Sequence, residues 1–350
     1  MKRNSLIDLF RFVCAFLVVL IHFQLPGDVF KGVIFPITRM AVPFFFMVSG
    51  YCLADENMER MKQRMNKQIR NIFRLFAGAF VAFFVFRFIL IAVQNPSGAQ
   101  NFLSALWNWD CWYRLIAVSD TSGFPVGHLW YLPALLSSIV AVRLALEYHE
   151  PPKMYWVAAI LGLLLVPLLI WNRSPHGANA PLVLLRNGLF TGFPCLMAGV
   201  WIKCNTRRIL KWPRKLVIIL PIVFALLTVG ERWLIYALLG ISSLTTFFNG
   251  LLLAASMIVL SIHFPEAGAR TPFPKWGAKY SLMIYICHMG FIDVMNVVAK
   301  LWGIQSESWY RWSGPFILLL LSLGFAALWE GTKDKLKQRK QAKIAAQTAT

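Results

Sequence analysis

Apolar runs of membrane-spanning length recur along this 350-residue chain, and that recurrence leaves few folds open. Lipid offers no hydrogen-bond partners, so each run must bond its backbone internally, as a helix does. With 58% hydrophobic and only 14% charged residues, the chain carries far more apolar sequence than a soluble core needs. The expectation is an all-α, polytopic helical membrane domain over residues 1–332, followed by a basic tail at 333–350. The expected spans are 6–25, 37–53, 72–93, 127–146, 155–171, 182–202, 216–229, 244–263, 281–299 and 314–329. The stretch 231–246 is open between a partial and a re-entrant helix, because WLIYALLGI is apolar but short.

The net charge of +20 falls in short segments between the apolar runs, around 60–74, 203–215 and 270–279 and in the tail. Cytoplasmic loops are marked in this way, so the charge is read as topology and nucleic acid is excluded as a partner. Both termini are then cytoplasmic and the long segment 94–126 is outside. The tail is expected to meet solvent or anionic membrane lipids. Six cysteines without CxxC spacing support neither a zinc site nor a disulfide framework, and no metal is expected. The first run lacks an A-x-A-like cleavage site and is expected to remain as a signal anchor.

That first run, SLIDLFRFVCAFLVVLIHFQL, carries Asp8, Arg11 and His22 among its apolar residues. Ionisable groups at membrane depth face a protein interior or an aqueous cavity. At about 100° per residue, the eleven positions from Arg11 to His22 make three turns plus about 20°, so both side chains leave one face, roughly 16 Å apart along the axis. Asp8 lies one turn from Arg11 and is placed to pair with it. Trp107, Trp109, Trp112 and Tyr113, and likewise Trp302, Trp309, Tyr310 and Trp312, are read as an interfacial aromatic belt.

Four stretches in order resemble the membrane acyltransferase-3 family. Arg11-x10-His22 is similar to the motif of that family's first span, and PFFFMVSGYCL resembles its FFxxSG second span. GHLWYLPALL is similar to its fourth span, and KYSLMIYICHMGFI to its ninth. The resemblance implies transfer of acyl groups, commonly acetyl, to extracytoplasmic carbohydrate. It also implies a donor nucleotide held at the cytoplasmic start of the third span. There the family's Arg-x-x-Arg is replaced by KQIRNIFRL, in which Lys67, Arg70 and Arg74 share a helix face and still form a basic ridge.

Acyl transfer needs a base for the acceptor hydroxyl, and His22 is the first candidate. Arg11 cannot be that base; it suits an anionic or carbonyl oxygen, or a wet donor channel. His288 either orients a substrate or bonds a neighbouring helix. Ser49 and the adjoining Gly50 serve helix packing or ligand approach. His128 and Trp130 border the outer end of the fourth span, where they either face an acceptor or sit in the aromatic belt, and Tyr285 belongs to the ninth-span motif. Asp293, about 140° from His288 around the helix, is not expected to pair with it.

The reading that results is an O-acyltransferase of the bacterial cytoplasmic membrane. It would use cytoplasmic acetyl-CoA as donor substrate and a carbohydrate or lipid-linked glycan as acceptor. The alternative is a carrier or exporter of glycan intermediates that uses the charged helix as a polar path. Oligomeric state is left open.

Overall fold

A computed structural model describes residues 3–94, 96–124, 126–173, 187–242 and 244–348. These residues are helical throughout their regular structure, with no strand among them. We number the main helices α1 (Ser5–His22), α2 (Ala41–Leu53), α3 (Met58–Gln94), α4 (Pro96–Trp107), α5 (Trp109–Val118) and α6 (Tyr131–Ala145). There follow α7 (Pro151–Arg173), α8 (Phe193–Cys204), α9 (Arg214–Leu239), α10 (Phe248–His263), α11 (Phe273–Leu301) and α12 (Ser308–Thr348). Eight segments are long and apolar enough to cross a membrane, counting α2 with the turns from Phe30 before it and α6 with the turn from Gly127. Two shorter apolar segments, Gly188–Cys204 and Phe248–His263, fill the remaining span positions. The chain is a multi-pass helical membrane protein.

Three expectations change. The stretch expected as the 216–229 span is one helix to Leu239, so most of the uncertain 231–246 stretch is its second half. Its carboxylate is satisfied by tertiary hydrogen bonds and its guanidinium stacks on aromatic rings. Glu231 accepts from the amides of Phe248 and Asn249 at 2.8 Å each, capping α10, and the Arg232 guanidinium lies 4.5 Å over the Trp233 ring. The helix stops where Gly240 takes a left-handed φ of +67°, a conformation without steric cost only for glycine. Second, the 94–126 segment, read only as a long connection between spans, contains two helices, α4 and α5. Trp107 and Trp109 are exposed on it, while Trp112 packs on Phe124 at 4.8 Å. Third, Tyr310 is buried against Phe23, unlike its exposed neighbours Trp309 and Trp312. The start of the expected 182–202 span, residues 182–186, lies outside the described residues.

Two close helix pairs set the frame for the site. Along α2 and α8, a Cβ added to Gly50 would lie 1.9 Å from the Leu196 carbonyl oxygen, and one added to Gly199 would lie 1.8 Å from that of Met47. The glycines let the two backbones touch, the usual use of small residues between membrane helices. Gly50 is thus a packing residue. Between α1 and α11, Gly277 meets the Asp8 carbonyl in the same way, at 1.7 Å. Asn4 anchors the start of α1: its side chain accepts from the Ile7 amide and donates 2.7 Å to the Ser261 carbonyl. Arg11 and His22 are thereby held against α2 and α11.

Candidate active site

Arg11 and His22 lie on two different cavities of the bundle. Arg11 lines a vestibule of about 380 Å³ with Ser49, Gln68, Asn71, Ser281 and Tyr285. Its Nη1 donates 3.0 Å to Asp8, and its Nη2 lies 3.5 Å from the Cys52 sulfur. Asp8 is buried and also accepts from Arg3 at 2.7 Å, so the expected Asp8–Arg11 pair exists within a triad. The single carboxylate partly neutralises two guanidinium groups, and Arg11 keeps a donor face toward the vestibule. Ser49 donates its hydroxyl to the Phe45 carbonyl and remains on the vestibule wall.

His22, at the far end of α1, lines a second, tighter pocket of about 40 Å³ with Arg39, His128, Trp130, Thr191, Thr245, Thr246 and Tyr285. Tyr285 lines both cavities. It stands between them, held by a hydrogen bond from its hydroxyl to the His128 carbonyl and by edge contact with Tyr131 at 5.4 Å. Under the orientation expected from the charge pattern, the vestibule faces the cytoplasm and the pocket faces outward.

Three imidazoles cluster here: His22 and His128 line the outer pocket, and His288 packs beside both. The His22 and His288 rings are 5.1 Å apart between centroids, and those of His128 and His288 are 5.9 Å apart at nearly a right angle. His288 is fully buried, which is unusual for a polar ring in a helix at membrane depth. Its Nδ1 lies 2.6 Å from the Tyr285 carbonyl and therefore donates, leaving Nε2 as the acceptor nitrogen, with no hydrogen-bond partner. His128, itself only 6% exposed, makes no hydrogen bond of good geometry from either ring nitrogen, with the Ile286 backbone as a polar neighbour. Buried polar atoms without partners are rare.

Of the supporting residues read from the sequence, Ser49, His128, Trp130 and Tyr285 line these cavities, while Asp8 and His288 stand behind the lining, bonded to Arg11 and packed on His22. Trp130 is buried and lines the outer pocket, which removes it from the aromatic belt. Lys67, Arg70 and Arg74 are exposed on α3. Their neighbours Gln68 and Asn71 line the vestibule instead, and Arg74 lines a separate apolar groove of about 480 Å³ between α3, α11 and α12. Asp293, as expected, does not pair with His288. It forms a two-pronged ion pair with Arg87, at 2.7 and 3.2 Å, that ties α3 to α11. Sequence reasoning missed Arg87 and Arg39, although each carried a signal. Arg87 interrupts an apolar run, and Arg39 is a cation at the outer start of a span, against the usual charge bias.

No solved structure matches the chain. A curated relative, a serine/alanine racemase of Enterococcus gallinarum, is 26% identical over 370 residues, covering 97% of this chain. The chain spans about half of that relative, 48% of its length. A family model described as an acyltransferase domain matches residues 4–329, taking in both cavities and all four sequence motifs. With nearly its whole length matched, the chain belongs to the acyltransferase-3 family of membrane acyltransferases.

Proposed function

We propose that the protein is an O-acetyltransferase of the bacterial cytoplasmic membrane, moving acetyl from cytoplasmic acetyl-CoA to a hydroxyl of an envelope carbohydrate, free or lipid-linked. The observation that carries this reading is Tyr285, whose side chain borders the Arg11 vestibule on one side and the His22 pocket on the other. Two substrates can then approach one reaction point from opposite faces. Lys67 and Arg70, exposed on α3 next to the lining residues Gln68 and Asn71, would hold the nucleotide phosphates, with Arg74 one turn further along. The pantetheine arm runs past Arg11, whose guanidinium suits its amide carbonyls or the thioester oxygen.

At the boundary, the acceptor oxygen attacks the thioester carbonyl as its proton passes to a ring nitrogen of His22. The C–S bond then breaks, the coenzyme leaves as thiolate, and the proton on His22 returns to that sulfur. His288, with Nε2 unprotonated and its ring beside His22, positions the base and shares its charge. Holding both reactants in one bundle converts a two-body encounter into a local step.

The test is reconstitution of the purified full chain in liposomes with acetyl-CoA and a panel of soluble and lipid-linked glycans. Coenzyme release and the mass of the glycan are followed together. A gain of one acetyl group per coenzyme released is expected. Glycan crossing the membrane with no coenzyme released would favour the carrier reading and overturn this one.

A further inference from the structure

The apolar groove of about 480 Å³ between α3, α11 and α12 opens on the outside of the bundle, with Phe325 and Trp329 exposed along its rim. Its volume is that of a ligand site, which runs to roughly 300–1,000 Å³. Small residues make the hollow: Gly78 and Ala82 on α3 and Gly290 on α11 line it, and a Cβ added to Gly78 meets no atom within 4 Å. Arg74 stands at one end. At the other, Phe86 and Val294 line it, and their chain neighbours Arg87 and Asp293 pair at 2.7 and 3.2 Å, tying α3 to α11 and closing the groove. From Arg74 to Phe86 the helix rises about 18 Å, little more than one leaflet of a hydrocarbon core about 30 Å thick.

Charge narrows the occupant. Among the described lining residues Arg74 alone is charged, and it is exposed without an ion pair. The lining stripes of the other two helices run on into cations at the same end. On α12, Phe325 and Trp329 lead in steps of four to Lys333 and Lys337, and on α11 Met283 leads back one turn to Lys279. Lys279 pairs with Asp334 and Lys333 with Glu330, at 2.8 Å each, so two carboxylates stand against four cations. This is the end that the charge pattern places in the cytoplasm, and Trp329 beside it suits the membrane interface. We propose that the groove seats one anionic phospholipid of the inner leaflet, with an acyl chain lying along Gly78 and Ala82 and the phosphate held by Arg74 and the lysines of α12. A guanidinium matches paired phosphate oxygens, and basic residues at this level attract anionic lipid. Arg74 then belongs to the lipid, which leaves Lys67 and Arg70 to the donor. The floor of the groove reaches the histidine cluster: the Phe83 ring lies 4.6 Å from that of His128, and Cys287 adjoins His288. A seated chain backs the wall that carries both histidines. The seat does not depend on the acyltransferase reading.

The experiment titrates the full chain in detergent with phosphatidylglycerol and, separately, with phosphatidylcholine of the same chains. Bound lipid is counted by native mass spectrometry, and the unfolding midpoint is recorded for each protein. Wild type should bind one phosphatidylglycerol at least about tenfold more tightly than phosphatidylcholine, at about fivefold for each basic residue that meets the headgroup. Gly78→Phe fills open space and should lose the tightly bound molecule with the midpoint unchanged; Ala82→Leu obstructs the same groove one turn on and should act alike. Arg74→Gln combined with Lys333→Gln should bring phosphatidylglycerol down to the affinity of phosphatidylcholine, while Arg74→Lys should keep most of the preference. No preference in wild type, or tight binding unchanged in the two obstructed variants or in the charge double variant, would overturn the proposal. A polyprenyl phosphate that displaces phosphatidylglycerol from wild type at equal concentration would give the groove to a lipid-linked acceptor and overturn it too.

Discussion

The Nδ1 of His288 lies 2.6 Å from the carbonyl oxygen of Tyr285, one turn earlier on the same helix. This bond fixes the tautomer and leaves Nε2 buried and unpartnered in a ring whose centroid is 5.1 Å from that of His22. His288→Gln should lower kcat by about tenfold to a hundredfold, within the usual range for acid–base groups, with little change in KM for acetyl-CoA. Steady-state kinetics at saturating acceptor check this. A raised KM with unchanged kcat would assign His288 to donor binding instead.

Asp8 is buried and shared by Arg3 and Arg11. Removing it leaves two cations around one buried position, so Asp8→Ala should destabilise the fold by about 3 kcal/mol, the scale of breaking a buried pair. Thermal unfolding in detergent measures it. Asp8→Asn keeps part of the hydrogen bonding and should cost less.

Gly50 and Gly199 allow α2 and α8 to touch at backbone level. Gly50→Ala places a methyl where the Leu196 carbonyl oxygen stands and should cost about 1–3 kcal/mol through overpacking. The measured quantity is again the unfolding midpoint. A neutral effect would show that the two helices separate freely.

Arg87 and Asp293 form a partly buried two-pronged pair between α3 and α11. Each single alanine substitution should destabilise more than half as much as the double one, since each leaves a charge unpaired at membrane depth. A double-mutant cycle on unfolding free energies should return a coupling of about 1–3 kcal/mol. Strict additivity would mean that the two residues act independently.

The spans were legible in the sequence because long apolar runs are the strongest local signal, and the Asp8–Arg11 pair followed from helical spacing alone. Arg11 and His22 could be placed on one face of one helix, but the wall between their cavities could not. That wall is Tyr285, supplied by a helix distant in sequence and recognised beforehand only through family resemblance. The 231–246 stretch stayed open between a partial and a re-entrant helix because WLIYALLGI is short, and the bond from Glu231 to the start of α10 that accompanies the longer helix is tertiary. Arg39 was hidden for a similar reason. Its counterparts in the outer pocket, His128, Thr191 and Thr246, come from three other segments, and no spacing rule joins them. The basic ridge illustrates the limit of facing arguments. Lys67, Arg70 and Arg74 do share a side of α3, but that side adjoins the vestibule and does not line it.

The measurement that tests the account most directly is acetyl transfer by His22→Ala, with acetyl-CoA binding and thermal stability recorded on the same preparation. A base used only in the chemical step costs rate and spares ground-state contacts, so kcat should fall by about 10²–10⁴ while donor affinity and unfolding midpoint stay at wild-type values. A folded His22→Ala protein that acetylates the glycan at the wild-type rate would contradict the account.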